Sequence, residues 1–198
     1  MALRKSHSPR EMNHNFTTFY LVRHGESEAN VRRIVQGSSV DLPLTEKGRN
    51  QAAALAETLT GIHIDVFYSS HLKRAHETAE ILAKKRNMEV YIDERLRERS
   101  MDTYEGMDVD EFLKLYTEEN WGTLTHEEKL AHKFQDSEEN FNEAYERFVS
   151  ALLDIAEKNK GRTILIATHA GMIRGFLIKN RYGDFDTVGG IENAGIVS

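Results

Sequence analysis

The feature that most constrains this chain is a set of short runs that are apolar at successive positions instead of alternate ones. Phe19-Tyr20-Leu21-Val22, Val66-Phe67-Tyr68, Val90-Tyr91-Ile92 and Thr163–Thr168 each read as a strand with both faces covered. Strands of that kind belong to a mostly parallel sheet carrying helices on both sides. The intervening segments supply the helices. Thr45 is placed as an N-cap, with Ala52, Leu55, Ala56 and Leu59 following at helical spacing. A second helix is expected from about Leu72 to Lys85, and a long one presents Phe141, Ala144, Tyr145, Phe148, Ala151, Leu152 and Ile155 on one face. A further helix starts near Gly171. The charged middle, Asp108–Asp136, is expected to hold two short helices, Val109–Thr117 and His126–Phe134, and Ile196-Val197 reads as the start of a last strand. The expected fold class is α/β, a three-layer α/β/α sandwich with a mostly parallel central sheet.

No Pro/Gly/Ser-rich linker divides the 198 residues, whose only prolines are Pro9 and Pro43, so residues 16–198 read as one domain. Residues 1–15 read as a disordered leader without the apolar core of a secretory signal. No run approaches the roughly 18 apolar residues that a membrane span needs. The absence of cysteine excludes disulfides, thiolate metal sites and a cysteine nucleophile, and fits a cytoplasmic setting. A formal net charge of −6 argues against nucleic acid or an anionic membrane as the main partner. An anion site would have to be built locally, against the global sign, so the positions of individual arginines carry the information.

In parallel sheets ligands bind beyond the carboxyl ends of the strands. The polar residues expected there are Arg23-His24-Gly25, Ser69-Ser70 and His169-Ala170-Gly171. Gly25 permits a sharp turn and lets its amide approach an anion. Arg74 falls in the first turn of a helix behind a strand, where its guanidinium would fork onto phosphate oxygens. Thr168-His169-Ala170-Gly171 repeats the strand-histidine-glycine order of the first block. Of the other histidines, His63, His126 and His132 are expected to be solvated, and His71 faces either the pocket rim or solvent. Trp121 is expected in a small satellite core.

Taken together, Arg23-His24-Gly25-Glu26-Ser27, the Asp41–Gly48 loop, Ser69–Ala75 and Thr168–Arg174 resemble, in order, the signature blocks of the histidine phosphatase (phosphoglycerate mutase-like) superfamily. The likeness runs from about Phe19 to Ile196. It implies that His24 is a nucleophile that carries a phosphoryl group, and that Arg23, Arg74 and His169 hold the phosphoryl oxygens, with His169 counted among the catalytic residues. It implies Asn30 as a neutral donor in the same pocket, and Gly37 and Gly171 as phosphate- or substrate-binding positions. Glu98 matches the family's proton donor, with Glu94 and Glu105 as rivals. Two guanidinium groups that keep their protons would hold a dianion without metal, so no metal or other cofactor is expected.

The sequence departs from the family in two places. Met101-Asp102 stands where Phe-Gly is usual, and Glu138-Glu139-Asn140 replaces Gly-Glu-Ser; Glu139, eight residues before Arg147, is expected to have a structural role. The expected activity is metal-independent hydrolysis of a small phosphorylated metabolite, a sugar phosphate among the candidates. The alternatives are a bisphosphoglycerate-dependent mutase of the same fold and a non-catalytic phosphate-binding module. Asp108–Asp136 contains no arginine to grip a second acidic group, which favours the phosphatase. A homodimer is the assembly common in the family.

Overall fold

The structure is a computed structural model that describes residues 16–118 and 121–198; the expected leader lies outside the described residues. The elements run β1 (Thr18–Arg23), α1 (Glu28–Val31), α2 (Glu46–Thr58), β2 (Val66–Ser69), α3 (Lys73–Lys84), β3 (Val90–Ile92) and α4 (Val109–Glu118). They continue through α5 (His126–Ala131), α6 (Phe141–Lys158), β4 (Thr163–Thr168), α7 (Ala170–Lys179) and β5 (Ile196–Val197). Five strands form one sheet in the order β3-β2-β4-β1-β5. All neighbours are parallel except β5, whose two residues pair antiparallel with β1.

The runs of β2 and β4 are buried on both faces because alternate residues feed opposite layers; β3 corrects the expectation, since it lies at the sheet edge and leaves Tyr91 and Ile92 more than half exposed. Leu21, Ile164 and Ile166 pack with Phe148, Ala151 and Ile155 of α6 and with Met172 and Ile173 of α7. Val22, Phe67 and Leu165 face the other way, into Leu55 and Ala56 of α2 and Leu82 and Ala83 of α3. The three layers follow directly from that division.

Most of the sequence-derived elements hold with small changes of boundary. Thr45 caps α2 by accepting the Gly48 amide, and Asn140 caps α6 in a box closed by Glu143. Asn140 thus takes over the capping that a serine there would perform. The expected His126–Phe134 helix is shorter, ending at Ala131 because His132 turns extended (ψ 138). The Phe134 amide beyond it donates to Glu138 instead of continuing the helix. His132 is also a correction: it is half-buried between Trp121 and Phe134, with Nε2 shielded from solvent. Trp121 sits in the expected satellite core, against Phe185. Asp102 has φ 45, so a non-glycine residue occupies left-handed backbone where the family's glycine would. Among the described residues no helix is long and apolar enough to cross a membrane.

Candidate active site

The sheet register assembles the site. Arg23 pairs with Thr168, so the next residues, His24 and His169, emerge side by side from the carboxyl ends of β1 and β4. Their ring centroids are 5.4 Å apart, and the two residues are 3% and 0% exposed. The His24 amide donates to the Thr168 carbonyl, and the Asn193 side chain and Ala194 amide donate to the His24 carbonyl. The backbone of His24 is therefore held from both sides.

The imidazole of His24 is oriented as well. Its Nδ1 lies 2.7 Å from the Gly25 carbonyl, an acceptor, so Nδ1 carries the proton and Nε2 keeps its lone pair. Burial, then the charges of Arg74 and Arg23, push the His24 pKa well below 6.5. His169 is lowered in the same way, by burial first and by Arg74 next. Both rings are thus neutral at neutral pH.

Arg74, in the first turn of α3, is fully buried, and its guanidinium is aimed by backbone. Nη2 donates to the Gly37 carbonyl at 2.9 Å, and Nη1 donates to the Val40 carbonyl at 3.1 Å. Asp41 lies 3.6 Å from Nη1. Arg23 is anchored by Nη1 donating to the Ile191 carbonyl. The Nε atoms of both arginines and both ring nitrogens of His169 are shielded from solvent and make no hydrogen bond among the described residues. Buried polar groups are almost always paired, so the unpartnered Nε–H groups of Arg23 and Arg74 and the one N–H of neutral His169 fit an oxyanion as their partner.

Glu98 closes the other side. Its carboxylate accepts from the Gly171 amide at 3.0 Å and from the Arg99 amide at 2.9 Å, and its charge acts on both Arg23 and Arg74. Gly171 is required there, because a Cβ would lie 2.4 Å from a Glu98 oxygen. The Gly37 carbonyl and the Gly171 amide are thus engaged by Arg74 and Glu98. Asn30 spends its Oδ1 on Ser27 and Asn193, capping α1 at the pocket's edge. Gly25 corrects an expectation: its amide donates to Thr78 Oγ1, and it is glycine because a Cβ would stand 2.5 Å from the Gly48 carbonyl.

Three supports are not read as such from sequence: Thr78 is not named, Arg147 is named only for its spacing from Glu139, and Glu105 only as a rival proton donor. Thr78 joins the Gly25 amide to the Arg74 carbonyl, a link detectable from its i+4 position on α3. Arg147 forks onto Glu139 at 2.7 and 2.6 Å and donates to the carbonyls of Arg95 and Arg97, bracing the segment that holds Glu98. Glu105 accepts from the amides of Ser38, Ser39, Val40 and Met101 and from the Ser39 hydroxyl. Those hydrogen bonds hold its pKa down against burial. Glu105 therefore clasps the loop that aims Arg74 and is spoken for as a carboxylate. Glu94 is exposed. Of the remaining histidines, His63 pairs with Asp65, His126 touches the Phe185 ring, and His71 is exposed.

A family model described as "Histidine phosphatase superfamily (branch 1)" matches residues 19–191. The chain belongs to the histidine phosphatase superfamily. Among its relatives is "Phosphoglycerate mutase-like protein 4" of Arabidopsis thaliana, 36% identical over 162 residues, or 81% of this chain and 69% of that one. "Phosphoserine phosphatase 1" of Hydrogenobacter thermophilus is 34% identical over 154 residues, 78% and 71% of the two chains. A solved structure of Bacillus stearothermophilus YhfR superposes with TM-score 0.78 at 32% identity, covering 91% and 89%. The mycobacterial glucosyl-3-phosphoglycerate phosphatase Rv2419c, in complex with VO3, gives TM-score 0.74 at 26% identity, covering 89% of each chain. Proteins named as phosphatases of phosphoserine and of glucosyl-3-phosphoglycerate are thus among those to which this histidine phosphatase superfamily chain is similar.

Proposed function

We propose that this histidine phosphatase is a metal-independent phosphatase of small phosphomonoesters, acting through a phosphohistidine on His24. The observation that carries the reading is the ring of unpaired buried nitrogens on Arg23, Arg74 and His169 around a neutral His24 whose Nδ1 is held by the Gly25 carbonyl. Nε2 attacks phosphorus in line, forming the N–P bond as the ester P–O bond breaks. The guanidinium groups and His169 stabilise the charge on the three equatorial oxygens. The departing alkoxide takes a proton from Glu98. Water then attacks the phosphohistidine and gives its proton to the Glu98 carboxylate, releasing inorganic phosphate and restoring both groups.

Transfer to water rather than back to a product is supported by the middle segment, which has no arginine for a second acidic group. The test is phosphate release from p-nitrophenyl phosphate in the absence of bisphosphoglycerate. Wild type should turn over and His24→Ala should be inert. Turnover that requires bisphosphoglycerate would make the protein a mutase instead, and binding of phosphate without turnover would make it a non-catalytic module.

A further inference from the structure

Glu98 and Gly171 also form one side of a second space, a cleft of about 210 Å³. Its other walls are Val35, Met101, Phe112 and Phe141, each more than nine-tenths buried and so firmly packed. Val35, Met101 and Phe112 belong to one small core that also contains Tyr104 and Phe134, and Phe141 belongs to the satellite core of Trp121 and Phe185. The charged middle segment thus contributes one apolar side chain, Phe112, to the wall of a cleft that adjoins Glu98.

The polar side chains around the cleft already have protein partners. Gln36 Oε1 accepts from Ser27, and both Glu98 oxygens accept backbone amides. Arg99 donates to the Glu139 carbonyl and lies 4.4 Å over the Phe141 ring. Arg174 donates to the carbonyls of Val188 and Phe185. These groups offer the cleft methylene stems and planar faces more than an array of donors and acceptors.

We infer that this cleft takes the alcohol half of the substrate and selects a compact apolar or aromatic body over a polyhydroxylated one. The inference rests on the phosphatase reading above and narrows it, away from a sugar phosphate. The occupant follows from position: Glu98, the group that would protonate the leaving oxygen, lies on the cleft wall, so the carbon skeleton behind that oxygen is placed to enter it. The size agrees. A cavity of roughly 150 Å³ with aliphatic and aromatic walls holds one benzene ring, so this cleft has room for one substituted ring. A ring or short alkyl body gains from leaving water there. A sugar would lose the hydration of several hydroxyls against carbon walls and find few replacement partners.

The test compares benzyl phosphate with glucose 6-phosphate. Both release a primary alcohol, so the difference reports the body and not the leaving oxygen. We expect kcat/KM for benzyl phosphate to exceed that for glucose 6-phosphate by about 100-fold, the worth of two poorly paired hydroxyls. Phe112→Ala should narrow the ratio, and the inhibition constant of inorganic phosphate, which does not reach the cleft, reports whether that variant keeps its phosphoryl pocket. Equal or faster hydrolysis of glucose 6-phosphate would overturn the inference and leave the phosphatase reading standing. If neither ester turns over and no phosphoenzyme forms, the phosphatase reading falls and the cleft assignment falls with it.

Discussion

The two halves of the site are built in different ways. The phosphoryl side stands on strand ends: β1 and β4 in register deliver His24 and His169, and α3 begins directly behind β2 to deliver Arg74. The acid side stands on carboxylates that reach across the chain. Glu105 gathers amides from 38–40 and 101, and Glu139 with Arg147 braces 95–100. Under the proposed mechanism, backbone register fixes the side where three negatively charged oxygens would meet donors of defined geometry. Side-chain clasps fix the side where the leaving group varies. Such a division would let residues around Glu98 vary with little effect on the phosphoryl half, except at Glu105, which joins the two through the loop that aims Arg74.

Replacements should separate the two halves. On the phosphoryl side Arg74→Lys keeps a charge but loses the fork held by two carbonyls, so kcat/KM should fall about 100- to 1000-fold for every ester. A loss confined to some leaving groups would break the comparison. On the acid side Glu98→Ala should lower kcat/KM, which reports phosphoryl transfer from the ester, by about 100-fold or more for benzyl phosphate. The loss for p-nitrophenyl phosphate should be far smaller, because nitrophenolate leaves unprotonated. Equal losses would remove Glu98 from the proton-donor role.

Between the halves lies Glu105. Replacing its carboxylate with an amide turns a donor toward the amides of 38–40, loosening the carbonyls that aim Arg74. Glu105→Gln should therefore raise the inhibition constant of inorganic phosphate about tenfold, one decade for the loss of part of a charged hydrogen-bond set. An unchanged constant would show that the loop aims Arg74 without the clasp.

The smallest effect concerns stability. His24 and His169 are held well below 6.5 when folded and return to that ordinary value when the chain unfolds. Between the two values the unfolded state binds more protons, so stability falls as pH drops below about 6.5, by up to about 1.4 kcal/mol per pH unit for each ring. Denaturant midpoints measured from pH 7 to pH 5 should decline, and His24→Ala should decline less steeply. Parallel slopes would contradict the depressed His24.

The same division governs what could be read from sequence. Four apolar runs identified the sheet, although the edge run Val90–Ile92 is apolar without being covered on both faces, and the residues after the β1 and β4 runs gave Arg23, His24 and His169. Thr45 and Arg74 were legible because caps and first turns obey local rules. Glu105 and Arg147 were not singled out as supports, since a carboxylate or guanidinium whose partners lie tens of residues away looks like any surface charge. Gly25 was read for the wrong contact, because a glycine's need for closeness does not say to what. Asp102 shows the opposite case: no glycine marks the position, yet its backbone is left-handed.

The central claim is the covalent step at His24, and rapid acid-free quenching during turnover of p-nitrophenyl phosphate tests it most directly. Peptide mass spectrometry should find a phosphoryl group on the fragment containing His24, stable in alkali, lost in acid and absent from His24→Ala. Turnover with no labelled fragment, or with the label on another residue, would contradict it.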